Sequence, residues 1–244
     1  MYNIKMILGI DKKIDEIKDD IIALTGLHPS KLRNIYAFGS RVYGTYTVNS
    51  DIDFIVIASS MRLNEEIHEG IYNIHITTPD AFKDQLDTHD VHCLECIYAP
   101  KEAHIMSQID YLGDFKVNIG QLKKMLISQS AWAWSKAQRR IERGNIIGGA
   151  KSLFHSFRIL NFGLQIVYND KIVDFKRANR YWNDIKNFNG LDWADYQDIW
   201  IHTRKQLVKQ LKNAHKDAKI NNIFEGVSEN IKEDNSNIET SREH

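Results

Sequence analysis

The chain has no net charge, because its 32 Lys and Arg are matched by 32 Asp and Glu. It therefore lacks an overall basic field that would draw it onto nucleic acid or an anionic membrane, and any such contact has to be local. No stretch approaches the roughly 18 consecutive apolar residues that span a bilayer. The opening MYNIKMILGIDKK holds a short apolar piece but neither a basic leader nor a small-residue cleavage site. These absences predict a globular, cytoplasmic protein. Cysteine is scarce as well. Cys93 and Cys96 are the only two, and in HDVHCLEC they sit beside His89 and His92 in a superficial imitation of a metal site. A closed zinc site draws its ligand pairs from two separate places, and a redox CxxC opens the helix after a strand. Neither context is present, so the pair reads as reduced thiols on a helix. With 244 residues, 43% of them hydrophobic, the chain can bury one good core and a second small one.

KKIDEIKDDIIALTG spaces Ile14, Ile17, Ile21 and Leu24 as one apolar stripe and stops at Gly26, which predicts an amphipathic helix. KLRNIYAFG turns to β-branched and aromatic residues and ends on Gly39-Ser40, a strand entering a tight turn. DIDFIVIA is a second strand and GIYNIHITT a third, with SSMRLNEEIHE as a polar connection between them. Three strands flanked by helices make a small mixed sheet. From Pro79 onward the apolar spacing becomes helical, through DAFKDQLDTHDVHCLECIYA and three longer segments. The fold class is α+β, with a sheet domain over 1–105, a helical domain over 106–216 and a polar, flexible tail over 217–244.

Asp51 and Asp53 interrupt an otherwise apolar strand pattern. In a strand, alternate side chains share a face, so the two carboxylates lie together. Buried carboxylates are costly without positive charge, and the usual supplier is a metal ion. Mg²⁺ suits hard oxygen ligands and completes its shell with water and phosphate oxygens, which makes this a phosphate-handling site. Gly39 lets the backbone approach a triphosphate, Ser40 offers a hydroxyl, and Arg41 adds fixed charge. In GGAKSLFHSFRIL, Lys151, His155 and Arg158 fall at i, i+4 and i+7 on one helical face suited to a triphosphate, with Phe154 and Phe157 pointing elsewhere. The aromatic pairs Trp132 with Trp134 and Tyr181 with Trp182 could stack a nucleobase but read more readily as core or domain-contact residues.

Gly-Ser, residues 41–50, then Asp-x-Asp on a strand resembles the nucleotidyltransferase fold shared by DNA polymerase β, aminoglycoside nucleotidyltransferases and minimal nucleotidyltransferases. GSRVYGTYTVNSDIDF is most similar to the bacterial and phage members that read G-S-R-x-Y-G and then S-D-x-D. The resemblance covers roughly residues 33–160. It implies metal-dependent transfer of a nucleoside monophosphate from a nucleoside triphosphate to an acceptor hydroxyl, with release of pyrophosphate. Asp51 and Asp53 would hold Mg²⁺, or Mn²⁺, while Gly39, Ser40, Arg41, Ser50, Lys151, His155 and Arg158 would bind the nucleotide. The acceptor stays open among RNA, protein and small molecule. A third carboxylate is expected on the next strand, yet YNIHITT offers only Asn73 and His75. Three alternatives stand: His75 serves as base or ligand, a distant acid such as Glu95 folds in, or the second metal is absent. The last leads to a non-catalytic nucleotide-binding or regulatory module, of the toxin-antitoxin or host-defence kind.

Overall fold

A computed structural model describes residues 4–59, 65–188, 190 and 192–214. Helices α1 (Lys5–Leu8) and α2 (Ile14–Thr25) precede strand β1 (Leu32–Phe38), the short helix α3 (Ser40–Tyr43) and strands β2 (Ile52–Ala58), β3 (Glu65–Glu69) and β4 (Tyr72–Thr77). Helices α4 (Pro79–Asp87) and α5 (Val91–Tyr98) follow, then β5 (His104–Ser107) and α6 (Tyr111–Asp114). The rest is helical: α7 (Ile119–Glu142), α8 (Ile146–Asn169), α9 (Asn179–Asn187) and α10 (Trp193–Asn213). The tail expected over 217–244 lies outside the described residues. None of the described helices is long and apolar enough to cross a membrane.

The predicted helix before the sheet is α2. Ile17 and Ile21 are fully buried, while Ile14 is left exposed at the first turn. Gly26 ends it at φ +63°, its N–H bonded to the Ile22 carbonyl, a left-handed cap that costs glycine least.

The sheet order is β3-β4-β2-β1-β5, with β2 and β4 parallel and every other pair antiparallel. Two strands are added to the three expected. β3 lies in what read as a polar connection, because an edge strand with one solvent face needs only Ile67 to pack inward. β5 falls in text read as helical and straddles the expected boundary at 105/106. Four residues are too few to show a period, and the strand exists because β1 offers an edge to pair with. The segment 80–99 divides into α4 and α5 where His89 takes φ +65°. The His89 ring donates from Nδ1 to the Asp87 carbonyl and accepts at Nε2 from the Asn118 N–H, both at 3.0 Å. Asp90 then caps α5 by accepting from the His92 N–H at 2.8 Å.

One contiguous cluster of buried side chains joins the sheet to the helices, with α8 at its centre. Tyr43 from α3 packs against Phe162 and Phe175, and Asn179 donates to the Tyr43 carbonyl at 2.7 Å. The helical half is thereby held over the ends of β1 and β2.

The far edge is tied by Asn34, a fully buried side chain. Its amide donates to the Ile109 carbonyl at 2.8 Å and accepts from the Ile109 N–H at 3.0 Å. Asn34→Ala leaves both backbone groups unpaired and is expected to cost about 2–3 kcal/mol in urea denaturation.

Candidate active site

β1 delivers the chain to Gly39, which adopts φ +79° and ψ −161°. A Cβ built there would lie 2.1 Å from Asp53 Oδ2, far inside van der Waals contact. The two residues are also close in the ladder, since Phe38 stands opposite Asp53. The bend and the acid are thus one unit, and Ser40 beside them lines two clefts that meet at this point.

Asp51 is exposed just before β2, and Asp53 is half-buried within it. Both line a cleft of about 260 Å³ together with Ser40, Lys151, Phe154 and Arg158. Asp53 Oδ1 accepts from Asn73 Nδ2 at 2.9 Å, its register partner across the parallel pair. Burial pushes the Asp53 carboxyl above the usual carboxylate range, and repulsion from Asp51 adds to this, against the opposing pull of the Asn73 hydrogen bond, His75 and Arg158. A desolvated carboxylate with a like charge beside it is the environment that a bound cation relieves. Among the described residues Asn73 Oδ1 is buried without a partner, a further hard oxygen on the side chain that bonds Asp53. Among the described residues no group of three or more His, Cys, Asp or Glu could hold a metal ion, so the two acids have no third. The donor set nevertheless fits a hard divalent cation completed by phosphate oxygens.

The basic residues divide. Arg41 is 6% exposed and donates one N–H from each guanidinium nitrogen to a backbone carbonyl: those of Leu8, Ser50 at 2.6 Å and Asp51 at 3.2 Å. It pins the loop that carries Asp51 and lines neither of the two clefts. Ser50 accepts at Oγ from the Thr47 N–H at 2.8 Å and so braces the same turn. Lys151 is exposed in the smaller cleft, where Arg158 also stands. His155 lines neither of the two clefts. Its Nδ1 lies 2.6 Å from Arg158 Nη2, and because guanidinium only donates, that ring nitrogen accepts. Burial, followed by Arg158, His92 and Lys136, holds the His155 ring neutral with its pKa well below the ordinary value.

His75 lines a second, larger cleft of about 580 Å³, with Nε2 3.4 Å from Glu66 Oε1. Glu95 does not fold in beside the acids. It is fully buried, where it accepts from Arg158 Nη2 at 3.2 Å and from the Tyr43 hydroxyl. Sequence reasoning missed Glu66, because β3 was hidden in polar text, and the Asp90–His92 pair, at 3.4 Å, which also lines the larger cleft. Burial opposes protonation of His92, but Asp90 and Glu95 outweigh it and raise the ring's pKa. Phe154 and Trp182, with ring centroids 5.5 Å apart, wall the smaller cleft; Phe154 was expected to point away, and Trp182 to serve the core or a domain contact before base stacking. Trp134 does pack inside, against Trp193 and Phe157, whereas Trp132 is 58% exposed. Cys93 and Cys96 are buried thiols whose pKa values burial pushes well above the ordinary range.

Two outcomes follow for the acid and its bend. Because the folded protein holds Asp53 with a raised pKa, it binds that proton more readily than the unfolded chain does. Stability from this group is therefore lost as pH rises from about 3.8 through the raised folded value. Asp53→Asn keeps an acceptor for Asn73 and is expected to melt at a higher temperature than wild type at neutral pH, with the gain vanishing at acid pH. Gly39→Ala should cost more than the roughly 1–3 kcal/mol of strain in its glycine-only backbone region, and in an Asp53→Ala background the clash with the carboxylate should be relieved while that strain and the 3.1 Å approach to the Asp53 Cβ remain. A double-mutant cycle by denaturant melts measures the difference.

Residues 14–110 match the family model described as a nucleotidyltransferase domain. No curated protein matches the chain. Among solved structures, a spectinomycin adenyltransferase AAD(9) from Enterococcus faecialis, solved with ATP and spectinomycin, is 14% identical with a TM-score of 0.40, covering 91% of this chain and 97% of its own. A nucleotidyltransferase-like protein from Exiguobacterium sibiricum is 12% identical with a TM-score of 0.31, covering 82% and 74%. Both likenesses are distant, and neither bears on which substrate this chain takes. The Gly39–Ser40 bend and the Asp51–Asp53 pair both lie within the residues that match the nucleotidyltransferase domain model.

Proposed function

We propose that the chain is a cytoplasmic, metal-dependent nucleotidyltransferase that moves a nucleoside monophosphate from a nucleoside triphosphate to an acceptor hydroxyl and releases pyrophosphate. The observation that carries this reading is the meeting of two clefts at Ser40, Asp53 and Arg158. A donor and an acceptor bound one in each would bring their reacting atoms to that junction.

The smaller cleft suits the nucleotide. Phe154 and Trp182 offer ring faces to a base, while Lys151, Arg158 and Ser40 offer positive charge and a hydroxyl to the phosphates. Gly39 lets the backbone come close, and Ser50 and Arg41 keep the Asp51 loop in place. Asp51 and Asp53 would hold Mg²⁺ or Mn²⁺, which when bound supplies charge neutralisation to the triphosphate. In the larger cleft His75 takes the acceptor's proton, with Glu66 orienting its ring. The acceptor oxygen bonds to the α-phosphorus, the bond to the bridging oxygen breaks, and pyrophosphate leaves with its electron pair. Asp53, Glu65, Glu66 and Asp90 line this cleft against Arg158, a balance that favours a small-molecule or protein hydroxyl over an RNA end. In this reading the sheet domain, through residue 105, supplies the chemistry, and the helical domain over 106–216 supplies Lys151, Phe154, Arg158 and Trp182.

Asn73 at the β4 position where an acid was expected favours a second reading, a nucleotide-binding module without catalysis. Incubation with α-labelled NTPs, Mg²⁺ or Mn²⁺ and cell lysate separates the two. Label transfer is expected, reduced about 100-fold or more by Asp51→Asn and by Asp53→Asn. Binding of NTP with no transfer to any acceptor would replace the enzyme with the module.

A further inference from the structure

Arg158 stands on the wall common to both clefts, yet it is only 7% exposed. Its Nη2 is committed twice over, to Glu95 Oε1 at 3.2 Å and His155 Nδ1 at 2.6 Å. The Tyr43 ring lies 3.6 Å from the guanidinium carbon, and the Tyr43 hydroxyl closes the set by donating to Glu95 Oε2. Nε is buried with no hydrogen-bond partner among the described residues. Among the described residues Nη1 has no hydrogen-bond partner and is not a buried orphan, so it is the nitrogen left to face the clefts.

We propose that Glu95, with Tyr43 and His155, is a positioning residue that fixes the Arg158 guanidinium so that Nη1 meets the transferring α-phosphoryl group where the two clefts join. This inference rests on the nucleotidyl-transfer reading and adds to it a role for a buried acid that is neither metal ligand nor base. Each Glu95 oxygen is engaged, one by Tyr43 and the other by Arg158, and the side chain is fully buried behind the clefts. His155, held neutral, can accept from Arg158 without adding a repelling charge. A guanidinium gripped at one nitrogen and presented at another is preorganised, and it need not surrender rotamer freedom when charge builds on the phosphoryl oxygens. Lys151 lines the smaller cleft alone, which assigns it to the β and γ phosphates instead.

The test is ³¹P NMR of the full chain saturated with an α,β-methylene NTP analogue and Mg²⁺. Glu95→Gln and Tyr43→Phe should each move the bound α-phosphorus resonance while leaving the γ resonance in place, and Lys151→Ala should do the reverse. In label transfer, Tyr43→Phe should lower kcat on the order of tenfold with little change in KM for the NTP. If Glu95→Gln does not fold, Tyr43→Phe decides, since it removes one hydroxyl and keeps the ring against the guanidinium. An α resonance identical to wild type in a folded Tyr43→Phe, with kcat unchanged, overturns the proposal while the transfer reading stands. Wild-type protein that binds no NTP analogue overturns that reading and this proposal with it.

Discussion

The Asp53 carboxylate lies where any side chain at position 39 would have to be, and much of the molecule's arrangement serves that contact. β1 and β2 are paired so that Phe38 faces Asp53, which brings the bend and the acid to the same end of the sheet. The parallel partner β4 adds Asn73 on the other side. Asp53 is therefore desolvated between two strands and a glycine, with a like charge at Asp51. The protein tolerates this because hydrogen bonding from Asn73 and the fields of His75 and Arg158 offset part of the burial cost. What is left unbalanced is a local need for positive charge at the mouth of the smaller cleft.

A second set of buried charges lies behind the first. Glu95, Tyr43, Arg158 and His155 form a connected group at the seam between sheet and helices. A buried ion pair of this kind is poor evidence for stability, since desolvation offsets most of its Coulomb gain. Its better-supported use is to hold one geometry, and here the geometry held is that of α8 over the ends of β1 and β2. The aromatic contacts of Tyr43 with Phe162 and Phe175 supply apolar burial at the same seam. Packing and polar specificity thus act on one side chain.

The two buried arginines illustrate how far residue type alone can be read. Arg41 and Arg158 both looked like phosphate ligands. Arg41 follows the bend directly, but its guanidinium donates to three backbone carbonyls of its own loop and the N-terminal segment. Arg158 comes from a helix more than a hundred residues away and reaches both clefts. His75 and Glu66 make the complementary case. The histidine was visible on its strand, whereas its acidic partner lay in polar text that becomes a strand only because β4 offers it an edge.

The sequence by itself determined the features that depend on short-range geometry. The spacing of Asp51 and Asp53 marked two carboxylates that reach one cleft, glycine at position 39 marked a tight turn, and the Ile17–Ile21 stripe with Gly26 set the first long helix and its end. Tertiary structure alone decided the rest: the edge strands β3 and β5, the break at His89, the use of Arg41 as a loop pin, and the burial of Glu95 beneath Arg158. The physical reason is common to all of these. A short edge strand draws its hydrogen bonds from a distant neighbour, and a long charged side chain takes its partner from whatever the folded chain brings within reach, so neither leaves a periodic signal in its own segment.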